Sequence, residues 1–306
     1  MKKVCFTTIG DVKTASSRIR VYQNLNALKK IGWDCRVNEN PVDSDVAVFQ
    51  KTYSENALNL ALKCKGKIVF DLSDAEWCHG QWVEDRILHM AKVANVIVTS
   101  SIEQAKWFKG KGFNAHVIPC GFDFDSAPKV DKHSNLTFCW TGSSTNERFL
   151  QILVNPLNKL REKYLFDLKL ICDLKSMHFP KFNFNPQLIQ WNMHTNLLEV
   201  AKCHIGLSPL LKKEHWCFCK PSTKIIIYMA MDLAVVCTTI PSYTEVIKDS
   251  KNGFLAWNET DWYNSLEILM QDKEKRLSII KEGKKTALEF SVDKIAKKWS
   301  DLFNES

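Results

Sequence analysis

Two lysines, Lys220 and Lys224, bracket Pro221-Ser222-Thr223 at the head of an apolar segment that reads as a helix over Ser222–Met231. Proline near a helix start and serine or threonine in the first turn are N-terminal signals. Lysine opposes the helix dipole there, unless an anion sits between the lysines and the exposed backbone N–H groups. The pattern points to phosphate binding, with two solvated lysines beside an ordinary cap as the plain alternative. Trp140-Thr141-Gly142-Ser143-Ser144-Thr145 follows a strand-like run, and Gly142 permits close backbone approach by an anion. A simple βα turn would look the same. Asp71 and Asp74 lie just past another strand-like run, where a carboxylate can orient or deprotonate a hydroxyl, or merely stabilise a turn. Arg18 and Arg20 follow a serine-rich loop. Arg18 is expected to face a ligand, and Arg20 to turn outward with Lys29 and Lys30.

Other clusters carry less. Cys203, His204, His215, Cys217 and Cys219 are crowded, but their spacing fits no paired C-x-x-C framework and no metal is expected of them. His204 is read as serving a strand end. Tryptophans such as Trp77 and Trp82 can stack on a sugar or a base, yet ten of them in a chain this size are more often core or interface. The lysines between Lys273 and Lys298 alternate with glutamates and apolar residues, a solvated helix face first and a membrane-surface helix second.

The elements that must position these residues alternate. With 306 residues the chain is long enough for two domains of about 150 each. Strands are predicted at Val4–Ile9, Val46–Phe49, Lys67–Phe70, Asn95–Thr99 and His116–Ile118, with a helix over Arg18–Ile31. The polar, aperiodic stretch Asp125–Asn135 interrupts the pattern. It then restarts with strands at Thr137–Trp140, Leu168–Cys172, Ile205–Pro209 and Ala234–Thr238, and helices at Glu147–Arg161 and Ser222–Met231. Strand–helix alternation implies parallel sheets with crossover helices, and two such units in tandem are expected to hold a ligand in a cleft between them. The expected division is residues 1–130 and 131–306.

Bulk properties narrow the class. No apolar run reaches the ~18 to 20 residues of a membrane-spanning helix, and Met1-Lys2-Lys3-Val4 leads directly into a strand-like segment. An odd count of 11 cysteines reads as reduced thiols, so a cytoplasmic protein is expected. The net charge of +8 favours anionic partners, whether sugar nucleotides, acidic lipid headgroups or nucleic acid.

The stretch HIGLSPLLKKEHWCFCKPSTKIIIYMAMDLAVVCTTIPSYTEVIKDSKNGFLA, His204 to Ala256, resembles the donor-binding region of glycosyltransferase family 4 and its close relatives. There a "DIGL-PL" strand, a lysine-bearing loop, a "K-x-x-x-YMA" helix, a "PVV" strand, a proline loop with glutamate and an "NGFL" turn follow in order. Ser16–Gly32, FDLSDAEW (Phe70–Trp77), VIVTSSIEQAKWF (Val96–Phe108) and VIPCGFDF (Val117–Phe124) resemble further family segments, again in order.

The resemblance implies a GT-B fold, two Rossmann-like domains facing a central cleft, an acceptor-side N-terminal domain and a nucleotide-sugar-binding C-terminal one. It implies a retaining transferase that moves a sugar from a nucleotide-diphosphate donor to a glycan or lipid-linked glycan; peripheral contact at the inner membrane face is an expectation from the positive charge and the lysine-bearing helix face. Donor contacts fall on Gly142, Ser143, Lys220, Ser222, Thr223, Lys224 and Glu245, the last accepting from ribose hydroxyls; Asp71, Asp74 and Arg18 are the catalytic candidates. No cofactor is expected beyond the co-substrate. Asp123-Phe124-Asp125 has the form of a metal-binding Asp-x-Asp, but Asp123 stands at the family's "NGVD" aspartate, a turn residue. One departure stands out: the family's E-x7-E pair would fall at Cys219 and Ile227, and neither is acidic. Two other readings remain open, glycosylation of modified DNA bases and a non-catalytic sugar-nucleotide-binding protein.

Overall fold

The structure, a computed structural model, describes residues 1–176 and 179–305. They run in the order β1 (Lys2–Thr8), α1 (Ala15–Arg20), α2 (Leu25–Lys30), β2 (Trp33–Val37), β3 (Val46–Gln50), α3 (Glu55–Ala61), β4 (Lys67–Leu72), α4 (Gln81–Val93), β5 (Val96–Thr99), α5 (Ile102–Gly110) and β6 (Ala115–Val117). Next come β7 (Thr137–Thr141), α6 (Val154–Lys163), β8 (Asp167–Cys172), β9 (Gln187–Gln190), α7 (Asn196–Ala201), β10 (Ile205–Ser208), α8 (His215–Phe218) and α9 (Thr223–Ala230). The chain closes with β11 (Ala234–Thr238), α10 (Pro241–Thr244), β12 (Phe254–Ala256), α11 (Glu259–Gln271), α12 (Lys273–Leu288) and α13 (Val292–Asn304).

Two compact units result. One comprises Met1–Asp123, Phe218–Thr223 and Phe290–Ser306; the other Phe124–Cys217 and Lys224–Glu289. A linear division at residue 130 thus differs from these units in three places: 124–130 fall in the second unit, and the short 218–223 segment and 290–306, which carries α13, fall in the first. The reason for α13 is apolar: Ile295, Ala296, Trp299, Leu302 and Phe303 pack with Val4, Phe6, Val48 and Val69 of the first sheet. Trp33 Nε1 donates to Ser300 Oγ at 3.0 Å, and Lys67 Nζ donates to the carbonyls of Leu302 and Glu305 at 2.7 Å each.

The first sheet has the order β2-β1-β3-β4-β5-β6 and the second β12-β11-β10-β7-β8-β9, with parallel pairings throughout. In each, the chain leaves its first strand to one side and later returns on the other. The direction reverses between β1 and β3 in the first sheet and between β7 and β10 in the second, and loops beyond the carboxyl ends of such strands diverge to leave a crevice. The second core joins Phe138, Trp140, Leu170, Leu207 and Val236 to Leu157, Trp262 and Leu266 of the covering helices.

Expected and observed elements differ where side chains compete with the backbone. The predicted Arg18–Ile31 helix breaks at Val21 into α1, a 3₁₀ turn at Tyr22–Asn24, and α2. Asn24 Nδ2 donates to the carbonyls of Arg20 and Ile19, at 3.0 and 3.3 Å, and diverts them from the helical ladder. The helix expected from Glu147 begins as a 3₁₀ stretch, Ser144–Leu153, and turns α-helical at Val154, with Pro156 tolerated near that start. β2, β9 and β12, absent from the sequence reading, are all sheet edges. Among the described residues no helix is long and apolar enough to cross a membrane.

At the second reversal point one buried hydroxyl joins the two central strands. Tyr228 of α9 accepts from Thr141 N at 3.0 Å and donates to the Leu207 carbonyl at 3.2 Å. Its ring covers Gly206, where a Cβ would meet Tyr228 Cδ2 at 2.4 Å. Gly206→Ala is therefore expected to lower the unfolding free energy by about 1–3 kcal/mol through overpacking, measured by urea denaturation. An unchanged midpoint would show that Tyr228 is free to shift.

Candidate functional site

At the carboxyl ends of β1, β3, β4 and β5, the first unit gathers polar residues in two layers. The deeper layer centres on Arg20, which is 2 % exposed. Its Nε and Nη2 donate to the two carboxylate oxygens of Asp71, at 3.0 and 2.5 Å, and Nη1 donates to the Ile118 carbonyl at 2.6 Å. The guanidinium lies 5.2 Å from the Trp299 ring centroid. Burial alone would lower its pKa, but the Asp71 charge outweighs that and raises it. Two expectations are corrected here. Arg20 does not face outward, and Asp71, itself 1 % exposed, is a structural anchor held in a bidentate pair rather than a carboxylate open to an acceptor.

The outer layer is a chain of four charges. Lys51, just beyond β3, places Nζ 3.1 Å from Asp74 Oδ2 and 2.7 Å from Glu76 Oε1. Lys220 Nζ approaches the other Asp74 oxygen at 3.1 Å, and Tyr53 donates its hydroxyl to Glu76 Oε2 at 3.2 Å. All four charged side chains are mostly shielded, with 13–19 % of their surface exposed. Burial would raise the Asp74 pKa, but Lys220 and Lys51 together take it below the ordinary 3.8. Burial and the neighbouring Glu76 push the Tyr53 phenol up to about 12. Asp74 is thus a firmly ionised carboxylate, suited to holding cations or orienting a hydroxyl rather than removing protons near neutral pH. Arg18 Nη1 donates to the Val12 and Lys13 carbonyls, at 3.2 and 3.1 Å, and braces the loop after β1.

In the second unit, Gly142 and Ser143 follow β7 at the reversal point. A Cβ on Gly142 would lie 2.6 Å from Trp140 Cζ2, so the glycine is required by the ring packed beneath it. Lys224, in the first turn of α9, sets Nζ 5.1 Å from the centroid of that ring. Arg148, in the 3₁₀ stretch after β7, and Glu214, in the loop beyond β10, form a two-bond pair at 2.7 and 2.6 Å. Ser222 is buried just before α9, and Glu245 is exposed at the end of the one-turn α10. His204 Nδ1 accepts from Thr137 N at 3.1 Å, as a strand-end residue does.

The fold therefore brings Asp74 and Lys220 together and separates Asp71 from them. The sequence reading did not find Lys51, Tyr53, Glu76, or the Arg148–Glu214 pair. Lys51 could have been found from its place one residue past the VAVFQ strand, a carboxyl-end position like that of Asp74.

No family model and no curated protein matches this sequence. Solved structures do. HepE (Alr3699) of Anabaena, in complex with UDP, is 13 % identical with a TM-score of 0.72, covering 99 % of each chain. Sucrose-phosphate synthase of Thermosynechococcus elongatus is 11 % identical with a TM-score of 0.76 over 99 % of this chain and 98 % of that one. An alpha-glucosyltransferase in complex with UDP-glucose and abasic-site DNA is 10 % identical with a TM-score of 0.69 over 99 % of both. The fold is thus GT-B, built from two Rossmann-like units.

A carboxyl pKa lowered in the folded state contributes stability that is present above the unfolded value and lost as pH falls through the folded one. Asp74 is accordingly expected to add to the loss of stability below pH 3.8. Asp74→Asn should flatten that part of the stability profile, followed by denaturant midpoints across acid pH. An identical slope in both proteins would mean that the lysine pairs do not persist in solution.

Proposed function

We propose that this protein is a glycosyltransferase that takes a sugar from a nucleoside-diphosphate donor, UDP-glucose being the first to test. The observation that supports this most is the GT-B likeness over nearly the whole chain to proteins solved with UDP or UDP-glucose. The nucleotide is taken by the residues that the family resemblance marks. Lys224, Lys220 and the amides at Ser222 and Thr223 receive the diphosphate, Gly142 and Ser143 approach it from the β7 loop, and Glu245 accepts from the ribose hydroxyls. Breaking the glycosidic bond builds negative charge on the leaving diphosphate, which preorganised cations and N–H groups stabilise. On the acceptor side, Asp74 orients a hydroxyl of a glycan or lipid-linked glycan, and Arg18 contacts its anionic or polar groups. Retention of configuration is taken from the family resemblance, and a cytoplasmic location from the 11 cysteines read as reduced thiols.

A second reading, transfer to modified bases in DNA, is favoured by the net charge of +8 and the likeness to a structure holding DNA. It differs in one measurable way, a steep fall of acceptor affinity with salt. If instead sugar nucleotides raise the melting temperature but are never turned over, the protein is the non-catalytic binder that the residues at Cys219 and Ile227 would suit.

Lys224→Ala removes one charge-assisted contact, worth about 1.5–3 kcal/mol, and should weaken UDP-glucose binding by roughly 10- to 150-fold while leaving the melting temperature of the free protein in place. Unaltered affinity by calorimetry would take Lys224 out of the donor site. Because the lysines and amides neutralise the leaving group, transfer is expected to persist in excess EDTA, with Asp125→Ala close to neutral. Activity abolished by EDTA and restored by Mn²⁺ would refute the metal-free mechanism.

A further inference from the structure

Lys220 and Asp74 belong to segments far apart in sequence, and one side chain joins the backbone beneath both. Gln104, in the first turn of α5, is fully buried. Its Nε2 donates to the Ser73 carbonyl at 3.0 Å and to the Cys219 carbonyl at 2.9 Å. Its Oε1 accepts from Ser100 N at 2.9 Å and from Ser100 Oγ at 3.0 Å, which fixes which face of the amide carries the donors. Ser73 immediately precedes Asp74, and Cys219 immediately precedes Lys220. The single Ser100 hydroxyl proton lies within 3.0 Å reach of the Ser73 carbonyl as well as of Gln104 Oε1, and Ser101 Oγ donates to the Cys219 carbonyl at 3.2 Å.

We propose that Gln104 is a positioning residue for Lys220: its amide, locked by Ser100, clamps the 218–223 segment onto the loop after β4, so that the ammonium is held at Asp74 and preorganised for an anion. This rests on the reading of Lys220 as a diphosphate ligand. The physical case is satisfaction. Both amide donors are used and the Ser100 N–H holds the oxygen, so the two donors reach carbonyls 146 residues apart in the chain (219 − 73). A buried amide so completely used restricts both segments more tightly than the exposed loops around them, and affinity gained by holding a ligand group in place beforehand is lost when the holder is removed. Gln104 reaches no ligand itself and acts through the 218–223 segment that carries Lys220.

The test is a double-mutant cycle on UDP affinity by calorimetry, with Gln104→Glu, Lys220→Met and the double variant, and melting temperature measured alongside. Gln104→Glu keeps the shape and the Ser100 acceptor but loses both donors; Gln104→Met is the second variant should a buried carboxylate prevent folding. Either is expected to raise the Kd for UDP about tenfold in the wild-type background and to have a clearly smaller effect once Lys220 is Met. A Gln104 effect that persists in full in the Lys220→Met background, or no effect of Gln104 on affinity at all, overturns the proposal while leaving the reading of Lys220 intact. If Lys220→Met itself leaves UDP affinity unchanged, or the wild type does not bind UDP, the diphosphate reading fails, and the positioning role with it.

Discussion

A guanidinium buried in a protein must be paired on every side, and that requirement organises the first unit. Arg20 is the last residue of α1, yet it satisfies itself with Asp71 at the end of β4 and the Ile118 carbonyl beyond β6, beneath the Trp299 ring of α13. Four segments converge on one side chain. Removing one partner of such a pair leaves an uncompensated charge and costs about 3–5 kcal/mol, whereas the intact pair adds little net stability over an apolar isostere. The pair therefore acts on specificity of arrangement: α1, the carboxyl end of the sheet and the final helix have one mutual geometry in which no charge is orphaned. The loop carrying Asp74 begins two residues past Asp71 and inherits its position from that constraint.

Above this anchor the chemistry is a matter of charge balance. Lys51 and Lys220 face Asp74 and Glu76, two cations against two anions, in a partly shielded layer where unpaired charges would be costly. The arrangement keeps Asp74 ionised and gives Lys220 a fixed starting point. In the second unit the corresponding place beyond the strand ends is built differently, from a glycine made necessary by Trp140, a lysine near that ring, and a tyrosine that joins β7 to β10. One unit has a chain of four charges at its strand ends; the other has the Trp140 ring, the Gly142 backbone and the Arg148–Glu214 pair.

Periodicity and turn chemistry in the sequence were enough for the alternating α/β pattern, most central strands, and Lys220, Lys224, Gly142 and Asp74 as residues at or near strand or helix ends. Those features are local: apolar runs, a proline and serine at a helix start, a glycine after a strand. β2 and β9 escaped because polar residues, Asp34 and Arg36 in one and Gln187 and Gln190 in the other, break the continuous apolar run of a central parallel strand, and β12 because it is only three residues long. Arg20 was misdirected for a related reason. The buried side of its helical segment carries Ser17, Arg20 and Asn24 beside Val21, and hydrophobic patterning assigns such polar residues to solvent. Only the tertiary structure decided that this face is the inside, because its partners Gln50, Asp71 and Ile118 lie 33 to 98 residues away. The same holds for α13 and for Gln104: no local signal marks a helix that packs on the first sheet, or an amide whose two donors meet segments 146 residues apart (219 − 73), since long-range hydrogen-bond satisfaction is a property of the closed fold and not of any window of sequence.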